Sequence, residues 1–261
     1  MKFIGQNHIV TEIAEYIPQI LQGTNLNLLF RGQSGYGKTT LAFNILNTIL
    51  QYSPQTGYSY SLPNKDGFVE INENNRIQIV DECHLIPHPE FLYPYMDSGR
   101  FFFIFCSNEA GELKEPLVNR CIAFNFINYT QEELCSIIDE FFTKNSIKLP
   151  ETHLQLIYRN CNGVPRIAKN ISQRLLMIIM NKGIPDETEL LRIINEVFQL
   201  QDGLDYRHRT YINFLQHAKV ASLDLISYAT KLDKATILRE IEPVLIYKDL
   251  ISISSRGRKW K

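Results

Sequence analysis

Residues 26–40 read Leu26-Asn27-Leu28-Leu29-Phe30-Arg31-Gly32-Gln33-Ser34-Gly35-Tyr36-Gly37-Lys38-Thr39-Thr40. A short apolar run, Leu28 to Phe30, leads directly into a glycine cluster, and a helical pattern follows it. Gly32 to Thr39 fits GxxxxGK[ST] at every defined position. The glycines let successive backbone N–H groups curl around a phosphate. Lys38 supplies a point charge to its oxygens, the Thr39 hydroxyl can ligate Mg²⁺, and the helix start favours an anion. A glycine-rich turn matching by chance would not be expected to have a strand before it and a helix after it.

Two further apolar runs have the same form. Ile77-Gln78-Ile79-Val80 ends in Asp81-Glu82, and Phe101 to Cys106 ends in Ser107-Asn108. Short apolar runs ending in polar residues, with helical stretches between them, predict a parallel α/β sheet whose functional residues gather at the strands' carboxyl ends. There Asp81 can hold Mg²⁺ through water, Glu82 can polarise an attacking water, and Asn108 can orient it. Read alone, the acidic pair is an ordinary turn, and Asn108 is a turn former. Upstream, Ile9, Val10, Ile13, Ile17, Ile20 and Leu21 recur at helical spacing, with Pro18 expected to kink or restart the helix.

Composition sets the outer bounds. The chain has 261 residues, 44% hydrophobic, with 27 Lys+Arg against 28 Asp+Glu, which excludes intrinsic disorder and leaves ample core. The longest apolar runs, Phe101 to Cys106 and Leu175 to Met180, fall far short of the roughly 20 residues a membrane helix needs. The five cysteines, Cys83, Cys106, Cys121, Cys135 and Cys161, form no CxxC pair, which argues against zinc and against a disulfide framework. The N-terminal Met1-Lys2-Phe3-Ile4-Gly5-Gln6-Asn7-His8 lacks an apolar signal segment, and with the cysteine pattern this predicts a cytoplasmic location. Neutrality overall hides an asymmetry: Asp205 to Lys261 carries 11 Lys+Arg against 6 Asp+Glu, a net of +5, on a body of −6. A basic C-terminal segment suggests contact with a polyanion.

From Thr130 onward the pattern is helical. Thr130-Gln131-Glu132-Glu133 has a capping-box form. The stretch after Val164-Pro165-Arg166 keeps an apolar face through Ile167, Ile171, Leu175 and Ile178. Beyond Asp202-Gly203, three short helical patterns precede Leu250-Ile251-Ser252-Ile253-Ser254, a glycine turn and a basic tail. Helices followed by a small hairpin suggest a winged helix.

Taken in order, these motifs resemble an AAA+ ATPase, and specifically the RuvB-type Holliday-junction branch-migration motors. The resemblance runs nearly end to end. It rests on Phe3-Ile4-Gly5-Gln6; Asp81-Glu82-Cys83-His84 with Leu92 to Asp97; Glu112 to Arg120; Tyr129 to Leu134; Gly163-Val164-Pro165-Arg166-Ile167-Ala168; Asp202 to Asp205; and Arg256-Gly257-Arg258. It implies an AAA+ parallel-sheet domain over 1–127, a helical lid over 128–203 and a winged helix over 204–261.

The resemblance also implies roles. ATP is held by Ile4, Gly32, Ser34, Gly35, Gly37, Lys38, Thr39, Thr40, Asp81, Tyr129 and Arg166, and Mg²⁺ by Thr39 and Asp81. Glu82 activates water and Asn108 is sensor 1. Arg120, otherwise a surface arginine like Arg166, reaches a neighbouring subunit's γ-phosphate. A finger acting in trans implies a homo-oligomeric ring, taken as a hexamer. Duplex or branched DNA would meet the wing through Arg256, Arg258 and Lys259, with Lys261 and an apolar or stacking Trp260 beside them; a solvated basic tail is the plainer reading.

Two departures stand out. Between Met96 and Phe101 the chain has only Asp97-Ser98-Gly99-Arg100, where the RuvB family carries a long β-hairpin that docks a junction-binding partner. In the wing, Ile253 stands where the family has a further arginine. Asp81-Glu82-Cys83-His84 also matches the DExH box of helicases, which need two such lobes and more chain. Val118-Asn119-Arg120-Cys121 is close to the finger motif of clamp loaders, so a clamp-loader-like or helicase-loader ATPase is the alternative. A protein-remodelling ring ranks behind both, as no aromatic pore-loop motif is evident.

Overall fold

The computed structural model describes residues 3–108 and 113–261; Met1, Lys2 and Glu112, quoted above, lie outside the described residues. In chain order the elements are α1 (Asn7–Leu21), β1 (Asn27–Arg31), α2 (Lys38–Tyr52), β2 (Tyr58–Ser61), β3 (Ile77–Val80), α3 (Tyr93–Asp97), β4 (Phe102–Ser107), α4 (Glu115–Val118), β5 (Ile122–Asn125), α5 (Gln131–Lys144), α6 (Glu151–Arg159), α7 (Pro165–Lys182), α8 (Glu187–Arg192), α9 (Tyr206–Ala218), β6 (Val220–Ala221), α10 (Leu223–Thr230), α11 (Lys234–Thr236), α12 (Glu242–Tyr247), β7 (Ile251–Ser254) and β8 (Gly257–Trp260). The described residues up to Ser136, with Val164–Arg166, form one compact unit. Ile137–Gly163 and Ile167–Lys261 form a second.

The first unit is built on a five-stranded sheet of order β2-β3-β4-β1-β5 in which every pairing is parallel. The three strands expected from their apolar runs are the central ones. Their residues alternate between two cores, as a sheet covered on both faces requires. Leu28, Phe30, Ile77, Ile79 and Ile104 pack with Ile9, Ile13, Leu41 and Ile45 of α1 and α2. Leu29, Val80, Phe103 and Phe105 face the other way, onto Leu92, Met96 and Leu117. The edge strands β2 and β5 were not expected. Tyr58-Ser59-Tyr60-Ser61 is polar and half exposed, so it has no apolar run to announce it.

α1 continues through Pro18 as one element instead of restarting. Pro18 lies near its C-terminal end, so few helical bonds remain beyond the one its ring removes. The Thr130 capping box forms as read: the Thr130 N–H donates to Glu133 Oε2 at 2.9 Å, and the Glu133 N–H donates to Thr130 Oγ1 at 3.3 Å.

In the second unit, the Asn160 and Asn162 side chains hold both backbone groups of Gly203 at 2.8 Å. Asp205 then caps α9 in a capping box with His208. Helices α9 and α10 and the helical segment from Lys234 to Tyr247 bury Tyr211, Leu215, Ile226, Ile237, Ile241 and Leu245 together with Ile251. Over Ile237–Ile241 that segment widens to a π-helix. The widening comes just ahead of Pro243, which cannot donate to the preceding turn and crowds it. β6, β8 and β7 form an antiparallel sheet in that order, and β7–β8 is the expected hairpin. Trp260 packs against the apolar core of this unit. No helix among the described residues is long and apolar enough to cross a membrane.

Candidate functional site

The glycine loop joins β1 to α2, with Lys38 and Thr39 opening the helix. Gly35 and Gly37 have φ of 87° and 90°, a region that favours glycine. A Cβ at Gly35 would lie 2.8 Å from Arg166 Cβ and 2.9 Å from Val164 Cγ1. The loop is thus closed on one side by the Val164 and Arg166 side chains, which leave no room for one at Gly35.

Lys38 is 5% exposed. Its Nζ donates to the Gly32 carbonyl at 2.8 Å, the Gln33 carbonyl at 2.9 Å and Asn108 Oδ1 at 2.6 Å. Burial pulls the ammonium below its ordinary pKa, partly offset by the Glu82 and Asp81 carboxylates. Asn108, at the end of β4, passes the contact on: its Nδ2 donates to Glu82 Oε2 at 2.5 Å. Glu82 adopts a left-handed backbone, φ 52°, which costs a residue with a side chain about 1–2 kcal/mol. Oε2 of Glu82 also lies 3.5 Å from Nδ1 of the mostly buried His84.

Asp81 is 9% exposed and receives donors on both carboxylate oxygens. Thr39 Oγ1 donates to Oδ2 at 2.7 Å and the Glu82 N–H to Oδ1 at 2.9 Å. The structure therefore brings Lys38, Thr39, Asp81, Glu82 and Asn108 together at the carboxyl ends of β1, β3 and β4. A buried ammonium facing only acceptors, beside a hydroxyl–carboxylate pair, is a donor set that fits a Mg²⁺-bound polyphosphate.

Around this cluster, Arg166 Nη1 donates to Ser34 Oγ at 2.7 Å and the Arg166 N–H to the Gly35 carbonyl at 3.3 Å. Tyr129 Oη donates to the Tyr36 carbonyl at 3.0 Å, and its ring lies against Gly5 of the segment that carries Ile4. Burial pushes the Tyr129 phenol well above its usual pKa, so it stays a donor. Ile4 is half-buried, and Thr40 is exposed on the first turn of α2.

Other expected residues sit apart from this group. The partners of Arg120 are Asp97, whose carboxylate accepts from Nε at 3.0 and 3.1 Å, the Pro116 carbonyl at 3.0 Å and the face of the Tyr93 ring at 4.4 Å. In the wing, Arg256 and Lys259 are exposed.

Arg258, expected to meet DNA, is turned inward. Its side chain is 16% exposed, and Nε donates at 2.8 Å to Oε1 of Glu242, which is 3% exposed and also accepts from Tyr211 Oη at 2.8 Å. In this arrangement Nε and Nη2 of the guanidinium are committed to a buried carboxylate. Arg258→Ala would leave that carboxylate buried and unpaired, and is expected to destabilise the second unit by about 3 kcal/mol in a urea titration.

Sequence reasoning missed Glu242, Asp97 and Tyr60, whose hydroxyl donates to Asp81 Oδ2 at 3.2 Å. None of them has a local pattern that marks it; an acid opening a helical turn and a tyrosine in an edge strand are common.

A glycine loop between strand and helix, an acid pair on the next strand but one and an asparagine on the strand between them mark the AAA+ P-loop fold. The model of the RuvB C-terminal winged helix domain matches residues 201–260. The RuvB subunit of the Holliday junction branch migration complex of Mycoplasmopsis synoviae is 27% identical, covering 98% of this chain and 91% of its own length. That of Helicobacter pylori is 25% identical over 98% and 85%. Among solved structures, the Thermotoga maritima RuvB Holliday junction branch migration motor superposes with a TM-score of 0.83 at 21% identity, covering 99% of this chain and 93% of that one. Domain III of the replication initiation protein DnaA from the same organism reaches 0.58 over 75% of this chain. Over nearly its whole length the chain is thus similar to RuvB proteins, and it has their AAA+ fold.

Proposed function

We propose that this protein is an ATP-hydrolysing DNA motor of the RuvB class, a compact form acting in the cytoplasm in branch migration or DNA translocation during recombination or replication. The observation that carries the reading is the run of contacts from Lys38 through Asn108 to Glu82, set beside the Thr39–Asp81 pair. A group for phosphate, one for water and one for a metal thus meet at the ends of adjacent strands.

Lys38 contacts the β/γ oxygens and gives up its present acceptors to them. Glu82 takes the proton of the attacking water, which Asn108 orients between its contacts with Lys38 and Glu82. Thr39, with Asp81 behind it, would hold Mg²⁺, which would supply charge neutralisation to the phosphoryl group being transferred. Gly32, Ser34, Gly35, Gly37 and Thr40 line the phosphates, while Ile4, Tyr129 and Arg166 hold the rest of the nucleotide. Arg120 serves the site of the neighbouring subunit in a homo-oligomeric ring, taken as a hexamer.

The functional parts are an ATPase domain over 1–127, a lid over 128–203 and a winged helix over 204–261. Duplex or branched DNA meets the wing through Arg256 and Lys259. The short Asp97-Ser98-Gly99-Arg100 connection leaves no hairpin for the family's junction-binding partner, so the ring engages DNA without it.

The test is a synthetic four-way junction incubated with the protein and Mg·ATP. Hydrolysis should rise with DNA, and the junction should resolve into duplex products; hydrolysis indifferent to DNA with no junction movement would overturn the reading. DNA affinity should fall linearly in log–log form with salt. Arg256→Ala and Lys259→Ala should each reduce that slope by about 1, measured by fluorescence anisotropy. Unchanged slopes in both variants would remove the wing from the interface.

A further inference from the structure

The edge strand β2 is polar, and one of its side chains reaches the nucleotide site. Tyr60 pairs in register with Ile79 of β3, and the Asp81 N–H donates to the Ser61 carbonyl at 3.0 Å, so β2 accompanies β3 to the point where its acid emerges. The Tyr60 ring packs on Phe43 of α2, with centroids 5.3 Å apart. From there its hydroxyl donates to Asp81 Oδ2 at 3.2 Å, the oxygen that accepts from Thr39 at 2.7 Å.

With the Glu82 N–H on Oδ1, the carboxylate has donors on both oxygens and cannot rotate without losing one. The Thr39 proton is directed at Asp81, which turns the hydroxyl lone pairs away from it. A cation ligated by Thr39 is therefore sensitive to where Asp81 points.

We propose that Tyr60 is a positioning residue for Mg²⁺: by fixing the Asp81 carboxylate it sets the orientation of the Thr39 hydroxyl that ligates the metal. This deepens the ATPase reading and rests on it. A tyrosine that only packed on Phe43 would fill the same volume and contribute nothing to metal affinity. The hydroxyl is the part that distinguishes the two, and Tyr60→Phe removes it alone.

The experiment measures binding of a fluorescent ADP analogue to the full-length protein, first in EDTA and then along a Mg²⁺ titration. For Tyr60→Phe the expected result is unchanged affinity in EDTA and a half-saturating Mg²⁺ concentration raised about three- to tenfold, the scale of one partly exposed hydrogen bond to a charged acceptor. In an Asp81→Asn background the same substitution should have no further effect. Phe43→Leu, which loosens the ring but keeps the hydroxyl, should leave the Mg²⁺ curve in place, and it remains informative if Tyr60→Phe folds poorly. An unshifted Mg²⁺ curve in Tyr60→Phe, an equal loss with and without the metal, or a shift in Phe43→Leu as large as that in Tyr60→Phe would overturn the proposal. A wild-type protein whose nucleotide binding ignores Mg²⁺ would instead overturn the ATPase reading beneath it.

Discussion

Glu82→Gln will bind Mg·ATP about as well as the wild type and hydrolyse it at least about 100-fold more slowly. The substitution keeps an acceptor for the Asn108 amide, which now donates to Glu82 Oε2, so the cluster should hold its geometry. What is lost is the basicity needed to take a proton from water, a contribution of about 10²–10⁴ in rate. Single-turnover hydrolysis with equilibrium nucleotide binding separates the two quantities. Turnover within threefold of wild type would remove Glu82 as the base. Lys38→Ala is the contrasting variant. It deletes the buried ammonium and leaves the Gly32 and Gln33 carbonyls and Asn108 without their donor, so nucleotide binding itself should be lost in the same assay.

Arg120→Ala should lower ATP turnover by about 10³-fold, the scale of an arginine finger, while leaving the affinity of an isolated protomer for nucleotide intact. The reason lies in where the side chain sits. Arg120 is held by Asp97, the Pro116 carbonyl and the Tyr93 ring, and none of these belongs to the cluster around Lys38. On the proposed reading its effect on hydrolysis would come through a second protomer. Mixing Arg120→Ala with Glu82→Gln protein should restore part of the activity, because some interfaces then pair an intact base with an intact finger. An inactive mixture, or an Arg120→Ala protomer that fails to bind nucleotide, would argue against a role in trans. Arg120→Lys should not rescue, since a point charge cannot reproduce the planar fork that stacks on Tyr93 while binding Asp97.

Much of this site was legible in the chain because its parts are local. The glycine loop lies within eight consecutive residues, and its conformation depends on glycine φ values and a helix start that the same residues dictate. Asp81 and Asn108 could be found because buried parallel strands are apolar on both faces and end where polarity returns. The wing hairpin was legible from the alternation of Ile251 to Ser254 before Gly257. By contrast, β2 carries only tyrosine and serine on an edge, where strand formation depends on the ladder offered by β3. Pro18 predicts a kink or restart because the rule holds for a helix interior; near the end of α1 few helical bonds remain for it to disturb.

Arg258 shows the limit most directly. Arg256, Arg258 and Lys259 form one basic cluster in the sequence, and charge alone does not rank them. Successive residues of a strand point to opposite faces, so the pleat of β8 and the approach of Glu242 and Tyr211 turn Arg258 into the core while Lys259 faces outward. The sequence by itself determined the order of strand, phosphate loop, acid pair and sensor, because each is encoded by neighbours within a few residues. The tertiary structure alone decided which side chains from distant elements share an acceptor: Tyr60 with Thr39 on Asp81, and Arg258 with Tyr211 on Glu242. A carboxylate's partners are chosen by distance in space, and only packing brings residues so far apart in the chain within hydrogen-bonding reach.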